Sequence, residues 1–264
     1  MTIINIKINL PLSLCEFAIR NDFFSPLRLY IYLKTISAGQ IRLDTTIKKN
    51  ISKTLGIGVK TVSSQLQKLQ DRNWVGYNKA SGYYFVRGFD KIRELEYLRG
   101  RRGVWVDVSK DIQDKKRFCA FVKGAVIGQL TNVSKYKAKK EQEGREPEHT
   151  KGSSNHRLRP SVSSFYPVSC HALSRILGIA ISTASEYKSQ AQEYGYIQVE
   201  KKMVRLPLTG NAKDHDANLA PIYKASHPDV AHKVRIVKGK VYLQEADHAM
   251  ACMNYTKKWR PRPK

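Results

Sequence analysis

The sequence predicts an α+β protein, mostly α. It reads as two copies of one three-helix unit ending in a β-hairpin, with a basic extension after the second copy. Two observations carry this. The phrase TLGIGVKTVSSQLQKLQDRNWVGY, residues 54–77, returns as ILGIAISTASEYKSQAQEYGYIQV, residues 176–199. In both copies the apolar period then switches from the three-to-four spacing of a helix to the alternation of a strand. The expected divisions are 1–108, 109–210 and 211–264.

A shift of 122 residues, Gly56 to Gly178, aligns the copies. Ser52, Leu55, Ile57, Thr61, Ser63, Gln70 and Lys79 then meet identical residues, and Trp74 meets Tyr196. Matched apolar positions argue for a duplicated supersecondary unit. The first helix of each pair carries Ile47, Ile51 and Leu55, or Leu173 and Leu177. It stops at Gly56 or Gly178, which can take a left-handed cap. The second helix follows, with the stripe Val59, Val62, Leu66 and Leu69 in copy one. In copy two the stripe is Ile181, Ala184, Tyr187, Ala191 and Tyr194, and it is less even.

A hairpin ends each copy. In the first, Val75 and Tyr77 lead through Asn78-Lys79-Ala80-Ser81-Gly82 to Tyr83–Val86. In the second, Ile197–Val199 leads through Glu200-Lys201-Lys202 back along Met203–Leu206. Two helices and a basic-tipped hairpin make a winged-helix arrangement. A further helix is expected ahead of each pair. Pro26–Leu33 serves copy one, with a short strand at Gln40–Leu43. A longer helix near 111–140 serves copy two, with one apolar stripe of Phe118, Val122, Ala125, Val126, Gln129, Leu130 and Val133. A strand is expected at Ser163–Val168. Residues 141–160 and the tail from Tyr255 have little to bury and are expected to be disordered. Val234–Val237 and Val241–Leu243 read as a hairpin around Lys238-Gly239-Lys240.

Charge narrows the partners. Lys and Arg number 47 against 22 Asp and Glu, a formal net charge of +25. Such a surplus concentrates and captures polyanions, nucleic acid first among them. With 41 % hydrophobic residues the chain can build a core without staples. The four cysteines are far apart and form no C-x-x-C, so free thiols in a reducing compartment are expected. MTIINIKINL alternates as a strand rather than running apolar like a signal peptide. No apolar stretch approaches the roughly 20 residues of a membrane span. A cytoplasmic protein with no membrane partner is expected.

The segments I-S-K-x-L-G-I-G-x-K-T-V … W-V-G-Y and L-S-R-x-L-G-I-x-x-S-T-A … G-Y-I resemble the winged helix-turn-helix of bacterial and phage DNA-binding proteins. The likeness covers roughly residues 25–90 and 110–208. Two such modules on a very basic chain are similar in architecture to plasmid and phage replication initiators. The resemblance implies double-stranded DNA as the partner, with the second helix in the major groove. The positions so placed are Lys60, Thr61, Ser63, Ser64, Gln67 and Lys68, which lie off the core stripe. Lys and Gln there can address guanine acceptors, phosphate or adenine. Lys48, Lys49 and Lys53 would lie over the backbone, and Lys79 at the wing tip would enter the minor groove or grip phosphate. In copy two the matching face is Ser182, Thr183, Ser185, Glu186, Ser189 and Gln190. Either it contacts DNA or it pairs with a second chain, as in a homodimer. Lys188, Lys201, Lys202 and Arg205 are its candidates for backbone contact.

No phosphate-cradling glycine motif and no paired-His metal motif occurs. His156-x-x-Arg159 and His232-x-x-Arg235 look like fragments of a tyrosine-recombinase box, without the upstream arginine that would support it. The expectation is therefore a non-enzymatic DNA-binding protein without cofactor, in replication initiation, transcription control or recombination. An RNA-binding protein is the alternative. Tyr83 and Tyr84 bear on it, because neighbouring strand residues face opposite ways and one of them can stack on an unpaired base.

Overall fold

The computed structural model describes residues 6–37, 39–100, 102–143, 165–205, 216–228, 233–237, 240–244 and 247–256. The chain begins β1 (Lys7–Pro11), α1 (Leu12–Arg20), α2 (Phe24–Ile36), β2 (Gln40–Ile41), α3 (Thr45–Leu55), α4 (Val59–Asp71), β3 (Val75–Asn78) and β4 (Tyr83–Val86). It continues α5 (Phe89–Leu95), β5 (Gly103–Asp107), α6 (Val108–Asp111), α7 (Lys115–Glu143), β6 (Tyr166–Pro167), α8 (Cys170–Leu177) and α9 (Ile181–Glu193). Then come β7 (Ile197–Glu200), β8 (Met203–Arg205), α10 (Asp216–Ser226), β9 (Val234–Val237), β10 (Lys240–Gln244) and β11 (His248–Ala251). The fold is α+β and mostly α, with small antiparallel sheets. Two compact units divide it. The first comprises Met1–Leu130, Cys170–Ile197 and Ala251–Lys264; the second comprises Thr131–Ser169 and Gln198–Met250.

In the first unit the two helix pairs keep the duplicated grammar. Under the shift of 122 residues α4 falls on α9 and β3 on β7 with the same limits. Both turns use a left-handed glycine, Gly56 at φ 61° and Gly178 at φ 68°. Both are tied by the same side chain: Ser52 Oγ donates to Ile57 O at 2.5 Å, and Ser174 Oγ to Ile179 O at 2.6 Å. Asp44 caps α3 by accepting from Ile47 N at 2.7 Å, which satisfies a donor the helix leaves open.

The core around copy one is aromatic. Trp74 is fully buried, with ring centroids 5.1–5.5 Å from Phe17, Phe23 and Tyr30. Its indole N–H donates to Glu96 at 2.7 Å, and Glu96 pairs with Arg72 at 3.0 Å. Tyr196 repeats the device. Its hydroxyl donates to Asp111 at 2.7 Å and accepts from Arg117 at 3.3 Å, and its burial pushes the phenol pKa up. Each copy thus buries an aromatic whose polar tip must find a partner.

Helix α7 departs from the expected single stripe. Phe118, Val122, Ala125 and Val126 are buried, but so are Ala120, Phe121 and Ile127, and Gln129, Leu130 and Val133 are half-buried. A helix apolar on every side belongs inside a core. Glycines allow the close approach. A Cβ on Gly124 would stand 2.6 Å from Tyr196 Cβ, and one on Gly128 would strike the Tyr255 hydroxyl. That hydroxyl donates to Ala125 O at 2.9 Å. Residues 254–256 run beside β5: Trp105 N donates to Asn254 O at 3.1 Å, and Thr256 N to Gly103 O at 2.9 Å. On its other side β5 pairs with β1, Ile8 opposite Val106.

In the second unit the hairpin expected at Ile197–Leu206 is corrected. β7 and β8 do not pair; β7 lies in the sheet β6-β11-β7, and β8 in the sheet β8-β10-β9. Copy one has the order β2-β4-β3, with Ile41 opposite Tyr84. Copy two has the same order, with Tyr166 opposite Ala249, but its middle strand is β11. The connection from β7 to β11 holds the other sheet and α10. The hairpin read from residues 234–243 is present as β9 and β10, Val241 opposite Ile236. Ala220, Val234 and Val241 form the core between α10 and this sheet, with Tyr223 and Leu243 against it. Residues 144–160, within the segment expected to be disordered, the basic residues from Lys257 onward, His156 and His232 lie outside the described residues. The described cysteines, all four, are free. Among the described residues no helix is long and apolar enough to cross a membrane.

Candidate nucleic-acid interface

The core sets which way α4 faces. Val62, Leu66 and Leu69 are buried at 1, 3 and 0 % exposure. Helical geometry then turns the remaining positions outward, and Lys60, Thr61, Ser63, Ser64, Gln67 and Lys68 are all exposed. Two cations, three hydroxyls and an amide share one surface. Gln67 is not idle, since its Nε2 donates to Asp71 at 2.8 Å. On α3, Lys49 and Lys53 are exposed and Lys48 is half-buried.

The hairpin of copy one is built as expected. Val75 pairs with Val86 and Asn78 with Tyr83. Asn78 organises the tip: its backbone carbonyl accepts from Gly82 N at 2.9 Å, and its side chain accepts from Ala80 N at 3.0 Å. Gly82 sits at φ 70°, where a side chain would strain the backbone. Lys79 is exposed at this tip. Tyr84 packs on Tyr77 with centroids 4.7 Å apart, while Tyr83 is 40 % exposed on the other side. Of the two tyrosines, Tyr83 is therefore the free one.

Copy two is different. Ser182 and Ser185 are exposed, and Thr183 is half-buried. Lys188, expected at the DNA backbone, is instead 4 % exposed, its ammonium 4.0 Å from Cys170 Sγ. The shift of 122 residues places it on Leu66, a core position. With Lys188 inside, α9 exposes no lysine or arginine, and Glu186 stands on its outer face. Beside it, Lys123 is 8 % exposed, lies 4.1 Å above the Tyr187 ring and donates to Gln190 at 2.5 Å; burial lowers its pKa. Lys201 and Lys202 are exposed between β7 and β8, and Arg205 stands opposite Tyr242 in the register of β8 and β10. Sequence reasoning found the β9–β10 hairpin but missed the basic residues Arg235 and Lys240 on it. Their alternation with Val234 and Val241 was the available signal.

A cavity of about 1180 Å³ lies between α5 and β5, with Lys34, Asp90, Arg93, Glu94, Arg99 and Arg102 on its wall. Among the described residues no group of three or more His, Cys, Asp or Glu side chains is placed to hold a metal. No family model, curated protein or solved structure matches the chain.

Proposed function

We propose that this chain is a non-enzymatic, sequence-specific double-stranded-DNA-binding protein with two winged-helix modules, serving replication initiation of a plasmid, phage or other mobile element. One observation carries the reading: the whole outward face of α4 is exposed and is made of residue types that address base edges and phosphates. Val62, Leu66 and Leu69 turn inward, and Val59 at its first turn is half-buried. The helix lies between a turn pinned by Ser52 and a hairpin tipped by Lys79, so its orientation is set from both ends. Copy one is the base-reading module, because α9 offers hydroxyls and a carboxylate without an exposed cation. The charge of +25 supplies general affinity, and each neutralised phosphate steepens the salt dependence by about 0.9 in log–log slope. Replication is assigned by likeness of architecture.

Selection of bound fragments from random duplex DNA tests this. A preferred sequence should emerge, and Lys60→Ala with Thr61→Ala should erase the preference while leaving much of the general affinity. Undiminished selectivity in that variant would overturn the choice of helix. Repeated sites would fit an origin; a single palindrome would point to a homodimeric regulator instead.

A further inference from the structure

In copy one the chain turns from β3 to β4 within Lys79–Gly82, and the tip carries one lysine. In copy two the corresponding connection, from β7 to β11, runs from residue 201 to residue 247 and folds as α10 with the sheet β8-β10-β9. The tip of the second hairpin has become a small subdomain. Its sheet has two unlike faces. Val234, Val241 and Leu243 turn toward α10. Alternation puts Arg235, Val237, Lys240, Tyr242 and Gln244 on the other face. Arg235 and Lys240 are exposed, and Tyr242 and Gln244 are half-buried. The three strands read MVR, VRIV and KVYLQ, with three cations and no carboxylate.

We infer that this outer sheet face is a second DNA-binding surface, one that grips the phosphate backbone of duplex DNA without reading bases. Three arguments converge. The face has only positive charge, so its complement is a polyanion. It occupies the topological place of a hairpin tip whose counterpart also carries an exposed lysine, Lys79. And α9 exposes no cation of its own, so phosphate contact by copy two falls to elements outside that helix, this sheet face among them. Arg235 already donates to the Val234 carbonyl at 3.2 Å, and Lys240 is a point charge with rotating donors, which suits phosphate contact indifferent to sequence. The inference rests on the DNA-binding reading for its partner class, but not on α4 being the helix that reads bases.

The test uses the full chain and a labelled duplex of random sequence, with affinity measured across a salt series. Arg235→Gln with Lys240→Gln should flatten the log–log slope by about 1.8, two phosphates' worth. Arg235→Lys with Lys240→Arg, which keeps both charges, should restore it. Preference for a selected site should not change in either variant. The inference is overturned if the Gln pair leaves the slope intact, or if the charge-keeping pair is equally impaired. It is also overturned if a single-stranded oligonucleotide binds more tightly than duplex and Tyr242→Ala removes that advantage. Failure of site selection, with the slope result standing, would sink the reading of α4 and leave this surface in place.

Discussion

The backbone N–H of Cys252 donates to the carbonyl of Tyr196 at 3.0 Å, as that of Arg87 donates to Trp74 at 3.1 Å. Cys252 is therefore the counterpart of Arg87, although 165 residues separate them where 122 separate Trp74 from Tyr196. The strand register agrees, because Ala249 faces Tyr166 as Tyr84 faces Ile41, and Tyr84 and Ala249 are also 165 apart. The duplication does not stop at β7. It pauses for 43 extra residues and resumes in β11.

If those residues are an insertion, their removal should be tolerated. Replacing residues 200–247 by the turn Asn-Lys-Ala-Ser-Gly of copy one should leave a protein that unfolds cooperatively, with thermal unfolding monitored by circular dichroism. A chain that no longer melts cooperatively would mean that β11 cannot find β7 without the subdomain.

Arg28 is 3 % exposed and donates to three carbonyls: Ile112 O at 2.5 Å, Leu55 O at 2.8 Å, and Gln113 O. Only a planar fork serves all three, so Arg28→Lys should not substitute. Each carbonyl left buried and unpaired costs about 1–3 kcal/mol. Urea denaturation should show a loss of roughly 2–5 kcal/mol; a loss below about 1 kcal/mol would mean that the freed carbonyls are satisfied in other ways.

Burial, opposed by Arg20, holds the Glu16 carboxyl above its ordinary 4.5. The folded protein then keeps a proton that the unfolded chain has released. The stability this group contributes is greatest below 4.5 and declines as pH rises through the raised pKa. Glu16→Gln should remove that decline and raise the melting temperature at neutral pH. Parallel pH profiles for the variant and the parent would contradict the assignment.

Lys188 lies inside, so Lys188→Met should leave the salt slope for duplex binding unchanged. A flattening of about 0.9 would instead put its ammonium on a phosphate.

Particular residues show what could be read ahead of the fold. α4, α9, β3 and the hairpin at Asn78–Gly82 were legible because glycines and branched apolar residues mark their ends and faces. Lys188 was misread as surface because a lysine usually is; its alignment with Leu66 held the contrary signal. α7 read as a single stripe although Phe121 and Ile127, off that stripe, are also buried and large enough to have marked a second apolar side. β11, with the sequence HAMA, has little strand character of its own. It becomes a strand because partners far away in sequence accept it, a property that local propensity does not carry.

Tyr255 hydrogen-bonded to the backbone of α7 has a cost in time. Synthesis proceeds at roughly 5–20 residues per second, so the ribosome needs about 6–25 s after adding Leu130 to reach Thr256. Through that interval the nascent chain holds Gly128, the Ala125 carbonyl and the edge of β5 without the residues that later close on them. The chain must wait, half assembled, for a clasp made long after the parts it closes, and chaperone dependence during translation is where that delay would be seen.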